Sequence, residues 1–318
     1  MTELETIHRV VRASLAALEA SRRRIDDLNV YPVPDGDTGT NLTLTARSVA
    51  EALGKSRAAD RAALAKEITR AALTGARGNS GVILSQIVRG AAEVLGRTKR
   101  IDPAVCAAAL RGASDAAYRA VRKPVEGTML TVIRELAEEG ERRAQQGLSL
   151  PDFIRALVRH GEAALARTPE QLAALRQAGV VDAGGAGIVE IVRGLVAGVT
   201  GERVAEAPAG EALSLEAVHR ELSRFRYCTV FLVEGEGLDA AALEHELEQL
   251  GDSLLVVGDS EALKVHVHTD DPGAALRLGT AVGVIDGIEI ANMHEQARER
   301  EGRLAGGAAA AVGPASSE

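Results

Sequence analysis

Two domains of different class are expected: a helical bundle over about residues 1–200, and a smaller α+β domain over about 214–298. Apolar residues recur at three- and four-residue spacing through the first part and at alternate positions in the second. Between them residues 198–212 lose both periods and gain Gly, Pro and Glu, the composition of a linker.

Helices are expected at about 3–27, 40–53, 58–74, 80–96, 103–121, 128–145, 150–166 and 185–197. Asp60, the pair Asp102-Pro103 and the pair Leu150-Pro151 supply cap or first-turn signals. The face Val105-Cys106-Ala107-Ala108-Ala109-Leu110 is small enough for helices to pack closely, with Cys106 as a small apolar residue. After the linker come a helix at 214–224, a strand from Tyr227 to Glu234 and a helix at about 238–250. Strands at Ser253–Gly258 and Leu263–Thr269, a helix at 272–282 and a strand at Ile285–Asn292 follow. That β-α-β-β-α-β order is the split-βαβ arrangement, with Gly258-Asp259-Ser260-Glu261 as a hairpin turn. Residues 299–318 read as a disordered tail or further linker, rich in Ala, Gly, Pro and Ser from Gly302 onward.

Hydrophobic residues make up 46% of the 318 and aromatics only 2%, so both cores must be built from Ala, Leu, Val and Ile. A net charge of −8 argues against nucleic acid or an anionic membrane as partner. Arg22-Arg23-Arg24 then reads as a solvated helix face. No signal peptide and no bilayer-spanning apolar run is evident, and two cysteines suit a reducing compartment, so a cytoplasmic protein is expected.

Val33-Pro34-Asp35-Gly36-Asp37-Thr38-Gly39-Thr40-Asn41 carries the most chemistry. Asp35 and Asp37 flank one glycine, and two like charges in a closed turn need water or a hard cation between them. Thr38, Gly39, Thr40 and Asn41 follow at a helix start, where free backbone N–H groups attract an anion. An Asp-Gly-Asp turn alone is ordinarily a solvated loop, and an EF-hand is excluded because Gly39, Thr40 and Ala46 stand where its fifth, sixth and twelfth loop positions would fall. Company favours a site. Gly75-Ala76-Arg77-Gly78-Asn79-Ser80-Gly81, Glu126-Gly127-Thr128-Met129 and Val181-Asp182-Ala183-Gly184-Gly185-Ala186-Gly187 each precede another apolar helix. Glycine lets a ligand approach the backbone, and four such loops exceed what helix capping requires. None is a P-loop: the chain has five lysines and none lies in a glycine loop. No strand precedes Gly75, so the loop is not a dinucleotide fingerprint.

These four motifs, together with Asn29-Val30-Tyr31-Pro32 ahead of the first, resemble the kinase domain shared by the L subunit of dihydroxyacetone kinase and the A subunit of bacterial fatty acid kinase. The resemblance covers roughly residues 1–298 and is closer to the fatty acid kinase branch; the dihydroxyacetone branch typically has His where this chain has Thr38. It implies an antiparallel barrel of about eight helices with the glycine loops at one rim, and an ATP- and magnesium-dependent kinase. Asp35 and Asp37, with Asn29, would hold magnesium. Gly39, Thr40, Asn41, Gly78, Asn79, Ser80 and Gly81 would surround the phosphates, and Thr128, Met129, Asp182, Gly184 and Gly185 would border base and ribose. The implied substrate is a fatty acid on a lipid-binding B subunit, phosphorylated at its carboxylate. Alternatives are glycerone phosphorylation, or a nucleotide-binding and dimerisation fragment without chemistry of its own.

In the second domain, Cys228 starts one strand and His266-Val267-His268 lies on another. Alternate strand residues share a face, and the two strands are central neighbours in this topology, so one Cys and two His can converge as zinc ligands. Buried Cys and His without metal are the common alternative. The resemblance also suggests structural zinc here, remote from the aspartates, in a sheet that forms a homodimer.

Overall fold

The computed structural model describes residues 3–203 and 224–311. The first region contains helices α1 (Glu3–Leu28), α2 (Thr38–Lys55), α3 (Arg61–Thr74), α4 (Gly78–Leu95), α5 (Pro103–Ala120), α6 (Met129–Ala144), α7 (Leu150–Ala166), α8 (Thr168–Gln171), α9 (Ala173–Ala178) and α10 (Ala183–Thr200). The eight long ones are those expected from the apolar spacing; α8 and α9 are single short turns bridging α7 to α10. Asp60 accepts from Ala63 N and Asp102 from Val105 N, so the acidic cap signals act as side-chain caps.

Each long helix packs on the next, α7 packs on α10, and α10 returns to α1, which closes the helices into a ring. Small residues set the closest crossings. A Cβ on Gly194 would lie 2.3 Å from Ser14 Cα, and one on Gly90 would lie 2.1 Å from the Gly112 carbonyl oxygen. Helix α10 is 18 residues long and apolar enough for a membrane span by composition, yet 72% of it is buried among its neighbours in the ring. Arg24, read as part of a solvated cluster, instead reaches inward to the buried carboxylate of Glu190, 2.8 Å away. A buried anion requires that cation, which overrides the exposed-face expectation.

The second region contains β1 (Tyr227–Glu234), α11 (Ala240–Leu247), β2 (Gly251–Gly258), β3 (Ala262–Thr269), α12 (Pro272–Val282), β4 (Val284–Asn292) and α13 (Met293–Ala311). The helix expected at 214–224 lies almost wholly outside the described residues. The strands form one antiparallel sheet in the order β2-β3-β1-β4. One face, with Phe231, Val233, Leu263, Val265 and Val267, packs on Leu243 and Leu247 of α11 and Ala275 of α12. The other face lies against the helical ring, and Leu232, Leu255, Val257 and Ala262 join its core. Strand β3 is therefore buried at every position.

Charged pairs rim that contact: Arg70 with Glu234, Arg77 with Glu289, and Arg122 with Glu248. In each the helical ring supplies arginine and the α+β region glutamate. Helix α13 corrects the expectation that order ends at 298. It runs without a break from Met293 to Ala311, because Met293 and Ala297 are buried one turn apart and anchor it. Alanine then sustains the helix; residues 312–318 lie outside the described part.

Candidate functional site

Helices α2, α4, α6 and α10 begin at the same rim of the ring, and residues at all four N-termini line one cavity of about 450 Å³. Its opposite wall is the inward face of the sheet. The approach to α2 makes this geometry. Gly36 adopts φ +70°, a left-handed turn that places the flanking Asp35 and Asp37 side by side at the start of the helix. Asn29, at the end of α1, donates from Nδ2 to Asp35 Oδ1. Burial raises the pKa of Asp35 well above the usual carboxylate range, and the neighbouring charge of Asp37 raises it further. Asp37 is also raised by burial, with hydrogen bonds from Asn41 and Gln296 opposing the shift. Two enclosed carboxylates that disfavour their own charge form a ready cation site.

The other loops meet this pair. Gly78 has φ +54°, and a Cβ there would lie 2.2 Å from Asn41 Nδ2, so the glycine lets the α2 and α4 starts touch. Gly78, Asn79 and Ser80 line the cavity, and Ser80 Oγ is buried without a partner. Thr128, Met129, Asp182 and Gly184 line it from α6 and α10. Asp182 Oδ2 accepts from Gly185 N at 2.7 Å, capping α10. The free backbone donors, the orphaned hydroxyl and the absence of side chains at the glycines suit phosphate oxygens, and the carboxylate pair suits magnesium.

Four expected site residues stand behind the wall rather than on it. Among the cavity-lining residues are Asn29, Asp35, Asp37 and Asn41, whereas Gly39, Thr40, Gly81 and Gly185 are not. A Cβ on Gly39 would lie 2.2 Å from the Arg22 carbonyl oxygen, so this glycine serves the α1–α2 crossing. Thr40 uses both its N–H and its hydroxyl on the Asp26 carboxylate. Gly81 abuts Thr45 and Gly185 abuts Val132, which makes them packing glycines. Sequence spacing could not separate them from their exposed neighbours, because all sit on one turn.

Asp182 also carries a testable electrostatic signature. Burial pushes its carboxyl up to about 7 from an ordinary 3.8, against hydrogen bonds from the Gly185 and Met129 N–H groups. The folded chain thus holds a proton that the unfolded chain releases near pH 4, so ionising this group costs stability as pH rises through 7. Relative to wild type, Asp182→Asn is expected to gain thermal stability between pH 5 and pH 8. A melting-temperature difference independent of pH would contradict the assignment.

On the sheet wall, Cys228 pairs directly with His268 across β1 and β3, and His266 lies two residues along the same face. Their potential ligand atoms all lie within 4.8 Å of one another. His266 Nδ1 meets the Ser253 carbonyl oxygen at 2.8 Å, which directs its Nε2 lone pair toward the cluster. His266 Nε2 and His268 Nδ1 are buried without hydrogen-bond partners. Burial lowers the pKa of His266 to about 4, and burial with the neighbouring His266 lowers that of His268 further. Neutral imidazoles with free lone pairs beside a thiol fit zinc. The expectation of remoteness from the aspartates is corrected here. All three residues line the same cavity as Asp35 and Asp37, and those carboxylates, after burial, help push the Cys228 thiol upward. The sheet face that bears them is turned onto the ring, which chain order alone could not reveal.

A closed helical ring with phosphate-type loops at one rim, covered there by a split-βαβ sheet, defines a two-domain protein of the dihydroxyacetone-kinase-like class. Residues 32–197 match the DAK2 domain, and residues 224–300 match the FakA-like middle domain of fatty acid kinase; the chain belongs to the DAK2 family. Protein YloV of Bacillus subtilis (strain 168) is 36% identical over 306 residues, 92% of this chain and 55% of that protein. An uncharacterized protein of Staphylococcus haemolyticus is 37% identical over 289 residues, 86% of this chain and 52% of that protein. The chain spans about half the length of the curated relatives it matches. Among solved structures, the dihydroxyacetone kinase from C. freundii in complex with AMP-PNP and Mg2+ is 19% identical with a TM-score of 0.47, over 62% of this chain and 34% of that one.

Proposed function

We propose that the chain is the nucleotide-binding part of a cytoplasmic ATP-dependent kinase that phosphorylates the carboxylate of a fatty acid, giving an acyl phosphate. The enclosed Asp35–Asp37 pair beside four helix N-termini carries this reading. Asn29 would orient Asp35 and Asn41 would orient Asp37, with magnesium held by the carboxylates. Bound magnesium would offset negative charge on the transferred phosphoryl group. Backbone N–H groups at Gly78 and Asn79 and the Ser80 hydroxyl would fix the phosphates, while Thr128, Met129, Asp182 and Gly184 would flank the nucleoside. Positioning and charge neutralisation then supply the catalysis, with no covalent intermediate required.

The fatty acid would arrive on a lipid-binding partner of the B-subunit type. With three Phe and three Tyr, the chain has little aromatic surface with which to line an acyl tunnel, and the cavity wall carries carboxylates, amides and imidazoles. Calorimetry should show ATP binding that depends on magnesium. The relatives' full length, supplied with ATP and carrier-bound oleate, should form acyl phosphate, and free oleate should give little. Rapid turnover of free oleate would remove the carrier from this reading. Glycerone phosphorylation is the alternative, and dihydroxyacetone in the same assay decides between them.

A second copy of the chain is the proposed occupant of the outer sheet edge. Val284, Ile288 and Ile290 of β4 are exposed, at 71%, 46% and 48%, and apolar edge strands of this kind pair readily. Sedimentation should give a dimer at micromolar concentration; a monomer would dismiss it.

A further inference from the structure

Arg300 is the largest wholly buried side chain among the described residues. It lies on α13, on the same face as Met293, Gln296 and Ala297, and reaches away from its own domain to the turn that holds the aspartates. Its stem passes behind that turn: a Cβ on Gly36 would lie 2.6 Å from Arg300 Cδ and 3.2 Å from Cγ. Its Nη2 donates to the Asp27 carbonyl oxygen, in the last turn of α1, where a helix end is partly negative. Nε and Nη1 are buried with no partner. Burial disfavours the guanidinium charge, while Asp27 and Asp35 are the anions that favour it. One turn earlier, the Gln296 side chain hydrogen-bonds Asp37.

A buried cation with two unused donors is costly unless it serves nearby negative charge. A pillar alone would be made better by an apolar side chain of the same length. We propose that Arg300 is a positioning residue for the magnesium–nucleotide site, acting through the Asp35-Gly36-Asp37 turn, and that α13 exists in its observed place to deliver it. The inference rests on the nucleotide reading above. A triphosphate and two carboxylates outweigh even two magnesium ions, so the loaded site stays net negative and the arginine charge favours the loaded state. The turn also keeps its shape against the arginine stem, so the carboxylates are preset before metal arrives. The kinase ring thereby depends on an element that follows the sheet domain in the chain.

Magnesium-ATP affinity should fall about tenfold in Arg300→Met, the size of one charge-assisted interaction. Arg300→Lys, which restores charge without the fork, should recover part of that loss. Gln296→Ala should weaken binding several-fold. Each variant is checked by circular dichroism and melting temperature. If Arg300→Met binds magnesium-ATP as wild type does, or if Arg300→Lys is as weak as Arg300→Met while both are folded, the proposal fails. Should Arg300→Met not fold, wild-type affinity in both Arg300→Lys and Gln296→Ala overturns it. Wild-type protein that binds ATP equally with and without magnesium would instead defeat the nucleotide reading itself.

Discussion

Asp37→Asn is expected to lower magnesium-dependent ATP affinity by at least about a hundredfold, beyond the 10–100-fold usual for a residue that only supports a metal ligand. The same substitution should leave the metal-free protein as stable as wild type or more so, by on the order of 1 kcal/mol, about one pKa unit of relieved repulsion. The opposite signs follow from one cause. Both carboxyls have raised pKa values in the folded chain, so the fold binds protons that the unfolded chain has lost, and ionising the pair costs stability as pH rises above about 4. Removing one charge removes that cost, while a cation loses half of its carboxylate attraction. Asp37 occupies the cap position of α2 without making a side-chain cap bond, so no capping energy is sacrificed. Calorimetric titration with and without magnesium and melting at neutral pH measure the two effects. Undiminished affinity, or a collapse of metal-free stability, would show Asp37 to be a structural residue instead.

Some of this arrangement was legible in the sequence, and the limit has a physical origin. The eight long helices were readable because each buries one apolar stripe, and caps such as Asp60 and Asp102 marked their starts. The split-βαβ order was readable because β1 and β3 keep a period of two, and a short Gly258-Asp259-Ser260-Glu261 turn joins β2 to β3. The carboxylate pair and the Cys–His–His cluster could each be recognised, since their members are close in sequence or on adjacent strands. That they share a cavity could not, because it depends on which face of the sheet meets the ring. Both faces of β3 are apolar enough to be buried, with Lys264 the exception. Lys264 is buried beside the Thr74 carbonyl oxygen, and burial followed by the nearby Arg77 charge lowers its pKa to about 8. A lysine in that setting reads in sequence as a solvent-facing residue.

Arg300 shows the same limit from the other side. It stands in Glu295-Gln296-Ala297-Arg298-Glu299-Arg300-Glu301, a run whose charges suggest an exposed face. The buried positions Met293, Ala297 and Arg300 follow the i, i+4, i+7 spacing of one helix face, which was the available signal. An arginine at the third position masks it, because the pattern rule counts apolar residues and cannot count a guanidinium whose counter-charge lies at the far end of the chain.

Purified without added metal, the protein is expected to contain close to one zinc per chain, and a Cys228→Ser, His266→Ala double variant to contain none. Three ligand atoms within 4.8 Å of one another, two of them on buried imidazoles with orphaned nitrogens, form a ligand set with no protein partner of its own. Filling it would tie β1 to β3 at their paired residues Cys228 and His268, so metal removal should lower the melting temperature. The thiol is held protonated by burial and by Asp37 and Asp35, hence zinc must displace a proton at neutral pH. Calorimetry in two buffers of different ionisation enthalpy should register that release, and affinity should weaken as pH falls and the ligands reprotonate. Because the cluster faces the aspartate pair across one cavity, chelation should also alter magnesium-ATP binding, which a metal confined to stiffening a remote sheet would not do. Zinc-free wild-type protein with unchanged melting would reduce Cys228, His266 and His268 to a polar patch on the cavity wall. Zinc loss that leaves nucleotide binding untouched would keep the site and return it to a purely structural role.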